Sequence, residues 1–352
     1  MIGVTGSQPN PISRPGRATI EDVAAAAGVS VATVSRAIRG LPNVATSTRD
    51  RVQRIAAELS YRADPAASRL ATGRSQAIGV AVPVLNGWYF SNVVAGVEAV
   101  CTEAGYDTVV LGISSAEQRA RLIHDTDGIH RRIDGLVFVD VSYSDDELIG
   151  LADRNLHVVT IGARSSVFPS VGIDDVEVGR LATEHLIELG HRRIAVLTGL
   201  AEDPLAFPVP LRRLEGYGLA HRSAGLETDR SLEVVGNFSV AGGYEAVNEL
   251  LALDEPPTAI FAMSDEMAFG AIQLARERGI QIPRDLSIVG VDDHELSVVV
   301  DLTTIHQDVE DHGARAARLL LDGLSTERPI PARLEDPLEL VVRGTTGPPR
   351  TA

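Results

Sequence analysis

The stretch TIEDVAAAAGVSVATVSRAIRG, residues 19–40, contains the signals for two short helices separated by a tight turn. Thr19 followed by Asp22 resembles a capping box, and the apolar residues after it have helical spacing. Gly28 is placed to end this first helix, and Ser30 can cap a second helix, VATVSRAI. This order of helix, glycine turn and helix predicts a helix-turn-helix unit. The alternative is an alanine-rich helical pair that only packs.

A third helix is predicted from roughly Thr46 to Leu59, where apolar residues can close a three-helix core. Charge is concentrated in the same part of the chain. The 352 residues carry a net charge of −16, yet the segment from Ile12 to Ser75 holds ten arginines and five acidic residues. A uniformly acidic chain would repel DNA phosphates, whereas a basic head on an acidic body suits a protein whose head alone binds a polyanion.

Composition excludes several classes of protein. No run approaches the roughly 20 apolar residues of a membrane-spanning helix, which predicts a chain with no membrane partner. Cys101 is the only cysteine, so an intrachain disulfide or a multi-cysteine metal site is impossible. The first residues lack the apolar centre of a secretory signal, which predicts a cytoplasmic protein.

From residue 78 onward, short Val- and Ile-rich stretches alternate with amphipathic helical stretches. Such alternation predicts parallel sheets buried on both faces, and about 270 residues are too many for one sheet, which favours two similar lobes. Ligands bind such folds at the carboxyl ends of the strands, here in the cleft between the lobes. The predicted strands are Ile78–Val84, Thr108–Ile113, Gly135–Val139, His157–Ile161, Arg193–Leu197, Leu232–Val235, Ala259–Ala262 and Ser287–Val291.

These patterns predict a multi-domain chain with five segments. They are a disordered tail (1–17), a helix-turn-helix domain (18–63), a hinge with linker (64–76), a two-lobed α/β body (77–346), and a second tail (347–352).

The motifs, taken together and in order, resemble the LacI/GalR family of bacterial transcriptional regulators. Besides the opening stretch, the resemblance rests on VPVLNGWYFSNVVAGVE, RRIDGLVF, EHLIELGHRRIAVLTG, RRLEGY, FSVAGGYEAV, PTAIFAMSDEMAFGA, LSIVGVDD and LELVVRGTT. It covers nearly the whole chain. The resemblance implies an all-α helix-turn-helix head followed by a two-lobed body like a periplasmic binding protein.

The resemblance also implies which residues contact DNA. The second helix would enter the major groove, where Val31 and Ala32 contact thymine methyl groups and Arg36 reaches guanine. A second set would bond phosphates and fix the register, namely Thr19, Ser30, Thr33, Ser35, Asn43 and Arg49. The segment containing Ala67 and Leu70 resembles the hinge helix of the family, in which a leucine enters the minor groove. For Leu70, an ordinary linker contact is the alternative.

In the body, the resemblance points to ligand-binding candidates in the cleft. Tyr89, Phe90 and Phe238 stand at aromatic positions, where rings can cover the apolar face of a sugar or base. The polar candidates are Arg213, Asp265 and Asp292, each with a structural ion pair or helix cap as the alternative. The chain departs from the common Asn-Pro of the family at Asn86-Gly87-Trp88, so that Trp88 can narrow the cleft or stack on the ligand.

The sequence contains none of the usual nucleophile, zinc-protease or nucleotide-binding signatures. Two clusters resemble reactive sites, His124/Asp125/Asp127/His130 and Asp292/Asp293/His294/Glu295. The first is expected to be a solvated helix end, and in the second a ligand-binding role for Asp292 is favoured. We therefore expect no catalytic residue, no cofactor and no metal.

These observations predict a repressor that binds a pseudo-palindromic operator in double-stranded DNA as a homodimer. A small molecule in the cleft, expected to be a carbohydrate, would control operator affinity. The main alternative is a solute-binding protein without a DNA role, against which the basic head argues. A sugar-processing α/β enzyme is a third possibility, and no sequence feature supports it.

Overall fold

The structure is a computed structural model. It describes residues 18–38, 40, 42–61, 74–124, 126–129, 131–153, 156–200, 205, 207–325 and 333–350. The predicted tail 1–17 and the predicted hinge residues Ala67 and Leu70 lie outside this range. The chain divides into two compact units, Met1–Arg74 and Ser75–Ala352.

Three helices form the first unit: α1 (Ile20–Ala27), α2 (Val31–Ile38) and α3 (Thr46–Glu58). Their core contains Val23, Val34 and Val52, one from each helix and all fully buried.

The helix boundaries in this unit follow from local capping. The Thr19 amide donates to the Asp22 carboxylate at 2.8 Å, and the Asp22 amide donates back to the Thr19 hydroxyl, which completes the capping box. Gly28 ends α1 with a left-handed backbone, φ 66°. The Ser30 hydroxyl accepts the Thr33 amide at 3.2 Å at the start of α2. The predicted helix pair is therefore confirmed.

The second unit contains two six-stranded sheets, each covered by helices. The first has the strand order β11-β5-β4-β3-β1-β2 and the second β12-β10-β9-β8-β6-β7. Neighbouring strands are parallel except β10 and β12. The strands are β1 Ala77–Val82, β2 Asp107–Gly112, β3 Gly135–Val139, β4 His157–Ile161, β5 Ser170–Gly172, β6 Ile194–Thr198, β7 Glu233–Val235, β8 Ala259–Ala262, β9 Ser287–Asp292, β10 Thr303–His306, β11 Arg333–Glu335 and β12 Glu339–Val341.

The helices of the second unit are α4 Trp88–Glu103, α5 Ala116–His124, α6 Thr126–Ile129, α7 Asp145–Ala152, α8 Asp175–Glu188, α9 Val209–Ser223, α10 Val240–Leu250, α11 Asp265–Glu277 and α12 Val309–Ser325. Each sheet has its own buried apolar core, so the unit has two lobes. Among the described elements, the chain passes between the lobes after β5, after β10 and after β11.

The predicted two-lobed α/β body with parallel sheets is confirmed, and eight strands agree with the sequence prediction to within two residues. The prediction missed β5, β10, β11 and β12. These strands have three or four residues each and lie at or next to a sheet edge, beside the crossings between the lobes. Such strands are too short to show a hydrophobic period.

Three helix pairs approach each other so closely that only glycine fits at the crossing. On α8 and α9, a methyl group added at Gly179 would overlap the Arg213 carbonyl oxygen, and one at Gly216 would overlap that of Val176. The same reciprocal arrangement holds for α4 with α12 and for α10 with α11, through Gly96, Gly313, Gly243 and Gly270. The first crossing holds the start of α8 beside α9. It thereby places Asp175 of α8 next to Arg213 of α9, two residues of the cavity described below.

We expect Gly216→Ala to destabilise the body because backbone on both sides of the crossing prevents relaxation. Overpacking of this kind costs about 1–3 kcal/mol, a loss of several degrees in melting temperature. The matched control is Gly150→Ala on α7, where an added methyl group meets nothing within 4 Å. Thermal unfolding followed by circular dichroism checks this, and equal melting temperatures for the two variants would contradict the close crossing.

Candidate DNA-binding and ligand-binding sites

The predicted base-reading residues lie on the exposed face of α2. Val34 and Ala37 are buried in the core of the first unit, and this turns Val31, Ala32 and Arg36 outward. Val31 is 40% exposed, although it is apolar. An exposed row of small apolar residues followed by an arginine fits the edges of base pairs in the major groove.

The predicted phosphate contacts are distributed around the same helix. The hydroxyls of Thr19 and Ser30 already serve as helix caps, and the Ser30 hydroxyl lies 2.9 Å from that of Thr33. Arg49 on α3 donates to the Gly40 carbonyl at 3.4 Å. Exposed Asn43 has a left-handed backbone, φ 68°, in the turn between α2 and α3. Ser35 is half-buried on α2.

A cavity of about 570 Å³ lies in the second unit, between the two lobes. It is lined by residues that end or follow strands of both sheets, among them Pro83, Asp140, Gly162, Met263 and Asp292. The carboxyl ends of parallel strands from both lobes therefore face one space, the arrangement in which α/β folds bind ligands.

Aromatic side chains form part of the wall. The predicted residues Tyr89, Phe90 and Phe238 line the cavity. Phe207 also lines it, with its ring centroid 5.5 Å from that of Phe238 in an edge-to-face arrangement. Sequence reasoning missed Phe207 because this residue lies in a loop without periodicity.

The predicted Arg213 lies in the cavity wall and is paired with an acid that was not predicted. Its Nε atom donates to Asp175 Oδ1 at 2.9 Å, and its Nη1 atom donates to the Met263 carbonyl. The Arg213 and Asp175 side chains are 6% and 4% exposed. Burial opposes the charge of Arg213, but the nearby carboxylates Asp175, Asp292 and Asp140 outweigh it and raise the pKa of Arg213.

Asp292 ends β9 and also lines the cavity, as predicted from the motif. Its carboxylate accepts the Gln307 side-chain amide at 2.5 Å. Burial raises the pKa of Asp292 well above its ordinary value, although Arg213 acts in the opposite direction. Its backbone has φ 117°, a conformation that non-glycine residues seldom adopt.

Asp140 follows β3 and was missed by the sequence analysis. The side chain lines the cavity, is 3% exposed, and its Oδ1 atom has no hydrogen-bond partner. Burial, together with the nearby charge of Asp175, raises the pKa of Asp140 to about 7. The available signal was an acidic residue directly after a fully buried strand, in the sequence VFVD.

Asp265, by contrast, is not among the residues that line the cavity. Its buried carboxylate accepts hydrogen bonds from the Ser297 and Thr304 hydroxyls and from the His294 amide. These bonds fix the start of α11 to the loop after β9, through His294 and Ser297, and to β10, through Thr304. Burial raises the pKa of Asp265 to about 6.

Trp88 does not line the cavity either, although its neighbours Gly87 and Tyr89 do. The indole Nε1 atom donates to Glu295 at 2.5 Å, and the ring lies 4.5 Å from the His294 ring. Trp88 begins α4 in the first lobe, whereas Glu295 follows β9 in the second. The side chain therefore bridges the two lobes beside the cavity.

Across the part of the chain that the structure describes, no group of three or more His, Cys, Asp and Glu side chains could hold a metal ion. Asp125 and His130 of the first sequence cluster lie outside the described residues. No described helix is both long enough and apolar enough to span a membrane.

Comparison with known proteins identifies the family of both units. Residues 19–64 match the family model "Bacterial regulatory proteins, lacI family", and residues 183–346 match "Periplasmic binding protein-like domain". The HTH-type transcriptional repressor CytR of Escherichia coli is 35% identical over 335 residues, which cover 94% of this chain and 96% of CytR. The HTH-type transcriptional regulator CelR of Thermobifida fusca is 34% identical over 339 residues, with 93% of this chain and 98% of CelR covered.

Solved structures show the same relationship. The lac repressor dimer bound to operator and the anti-inducer ONPF has a TM-score of 0.83 and 30% identity, covering 94% of this chain and 99% of that one. The CelR–cellobiose complex has a TM-score of 0.67 and 32% identity, covering 94% of this chain and all of that one. The chain therefore belongs to the lacI family of bacterial regulatory proteins.

Proposed function

We propose that this regulator represses transcription as a homodimer on a pseudo-palindromic operator, and that a small molecule in the cavity between the lobes sets its operator affinity. The main support for a small-molecule effector is the cavity itself. Its wall contains strand ends of two lobes, aromatic side chains and a buried Arg213–Asp175 ion pair. This combination suits a polar ligand with apolar faces.

On the DNA side, the proposal assigns base reading to the exposed face of α2. Val31 and Ala32 contact thymine methyl groups, and Arg36 donates to guanine O6 and N7. One head of this size reads a half-site, so two-fold symmetry doubles the contacts and the specificity. The lac repressor relative is described as a dimer bound to operator, which supports the same arrangement here.

On the ligand side, the proposal assigns a carbohydrate effector. Relatives have been solved with cellobiose and with ribose. The rings of Tyr89, Phe90 and Phe238 can cover the apolar faces of a sugar. The effector changes operator affinity by the difference in its affinity for the two arrangements of the lobes.

A thermal-shift screen tests the effector site. The protein is screened against pentoses, hexoses, disaccharides, sugar phosphates and purines. At about 100 times its dissociation constant, a ligand adds about 2.7 kcal/mol of stability, which raises the melting temperature by several degrees. We expect a sugar to do so for the parent protein and to do so much less for Phe238→Ala.

The control variant for the screen is Val342→Ala, whose residue is 60% exposed and does not line the cavity. It should respond to the sugar like the parent. A response that Phe238→Ala retains in full, or the absence of any sugar response, would contradict a carbohydrate site in the cavity.

The names of CytR and CelR favour a regulator over a solute-binding protein or a sugar-processing enzyme.

A further inference from the structure

The cavity has an excess of negative charge. Among its described lining residues are four acidic side chains, Asp140, Asp175, Glu266 and Asp292, and one basic side chain, Arg213. Carboxylates removed from water are costly unless each finds a cation or several hydrogen-bond donors. The way in which these groups are paired therefore indicates what a ligand must supply.

Three of the charged groups already have partners within the protein. Arg213 donates to Asp175 and to the Met263 carbonyl, and Asp292 accepts the Gln307 amide. The guanidinium is therefore engaged by Asp175 and by the Met263 carbonyl, although its charge still acts on Asp140. A ligand that entered the cavity would find no protein cation left in the described wall for its own acidic groups.

The two other acids of the wall are Glu266, which is half-buried, and Asp140, which is buried and has one oxygen atom without a partner. Asp140 is 3% exposed, its Oδ1 atom has no hydrogen bond, and this atom lies against Gly162, another residue of the cavity wall. The Tyr89 hydroxyl stabilises the charged form of Asp140 by a hydrogen bond. The Oδ1 atom of Asp140 is therefore a buried acceptor in the cavity wall that lacks a hydrogen-bond donor, and the ionised carboxylate lacks a cation hydrogen-bonded to it.

A sugar hydroxyl could supply the donor, whereas an ammonium group supplies both the donor and the charge, and charge-assisted bonds are roughly twice as strong. The cavity wall also contains the Tyr89 and Phe90 rings, and the faces of aromatic rings attract cations. We propose that the cavity binds a carbohydrate that carries an ammonium group, with this group held by Asp140. The inference rests on the proposed function, in which the cavity is the effector site.

Titration calorimetry with matched sugars at pH 7 tests this assignment. The probes are glucosamine, galactosamine and mannosamine, each compared with its neutral parent hexose and with its N-acetyl derivative, which keeps the nitrogen without the charge. We expect at least one amino sugar to bind ten-fold or more tightly than both of its neutral counterparts. We expect Asp140→Asn to lose that preference and Asp254→Asn, a change at an exposed loop residue, to keep it.

The two proposals fail in different ways. If neutral hexoses bind as tightly as the amino sugars, or if no amino sugar binds, the ammonium assignment is overturned, while a neutral sugar that binds in the cavity leaves the proposed function intact. Retention of the preference by Asp140→Asn also overturns the assignment. The comparison of sugars on the parent protein does not depend on the folding of any variant.

Discussion

Asp140→Asn is expected to raise the melting temperature by several degrees at pH 8 and by less than half as much at pH 5. An ordinary aspartate has a pKa of 3.8, whereas burial raises that of Asp140 to about 7 in the folded protein. Between these pH values the folded state binds more protons than the unfolded state, so the stability contributed by this group falls as pH rises. Above pH 7 the cost reaches an upper limit on the order of 4 kcal/mol.

Asparagine has nearly the shape of a protonated aspartate and no charge to bury. At pH 5 the folded aspartate is protonated and resembles asparagine, but the unfolded aspartate is ionised, so folding of the parent still includes the smaller cost of taking up a proton. At pH 8 the variant avoids the full cost, for a gain of up to about 10 °C. The charged and titratable groups near Asp140, namely Asp175, Arg213 and Tyr89, are present in both proteins. Their titration therefore largely cancels in the comparison, as does that of Asp265 and Asp292.

Circular dichroism melts at the two pH values, with Asp254→Asn as the exposed control, measure this effect. A variant that is less stable than the parent at pH 8 would show that the carboxylate stabilises the empty protein. That result would contradict the inference that burial of the Asp140 carboxylate, with its Oδ1 atom unpartnered, destabilises the folded protein.

DNA affinity is expected to fall steeply with salt, by about 10³- to 10⁵-fold between 50 and 200 mM, if six to ten phosphates are contacted. The net charge of −16 excludes a general attraction between the whole chain and DNA, so the arginines of the head must supply the contacts. Fluorescence anisotropy with a labelled duplex measures the dependence. A dissociation constant that does not change with salt would contradict phosphate binding by the head.

Single variants separate base reading from phosphate binding. Arg36→Ala should reduce the free energy of DNA binding by about 1–3 kcal/mol per half-site and relax the sequence preference. Arg49→Ala should instead weaken binding to all duplexes. It should also reduce the slope of log affinity against log salt concentration by about one for each phosphate contact that is lost. Arg54→Ala is the control, because Arg54 on α3 is exposed and lies 3.8 Å from Glu58. It is not one of the predicted DNA-binding residues.

The head could be predicted almost completely because its signals are local. The Thr19–Asp22 capping box and the Gly28 turn each lie within a few residues of the helix that they define, and both are present in the structure. The long strands of the body were equally visible, since they are continuous apolar runs. The short edge strands were not, because their partners are distant in sequence: β11 pairs with β5, for example.

The ligand site shows where sequence reasoning reaches its limit. Motif positions pointed to Tyr89, Arg213 and Asp292, and all three line the cavity. The motif containing Asp265 could not reveal that the hydroxyls of Ser297 and Thr304, 32 and 39 residues away, donate hydrogen bonds to its carboxylate. Asp140 was missed because no local pattern shows that its Oδ1 atom is buried in the cavity wall without a hydrogen-bond donor.

We propose above that this chain is a dimeric regulator that reads a specific DNA sequence. Selection of bound duplexes from a random 24-base-pair library, at about 150 mM salt and with the full chain, tests this assignment. We expect enrichment of one pseudo-palindromic sequence with two half-sites, and the loss of its guanine preference in Arg36→Ala. Recovery of a library without any enriched sequence would contradict it.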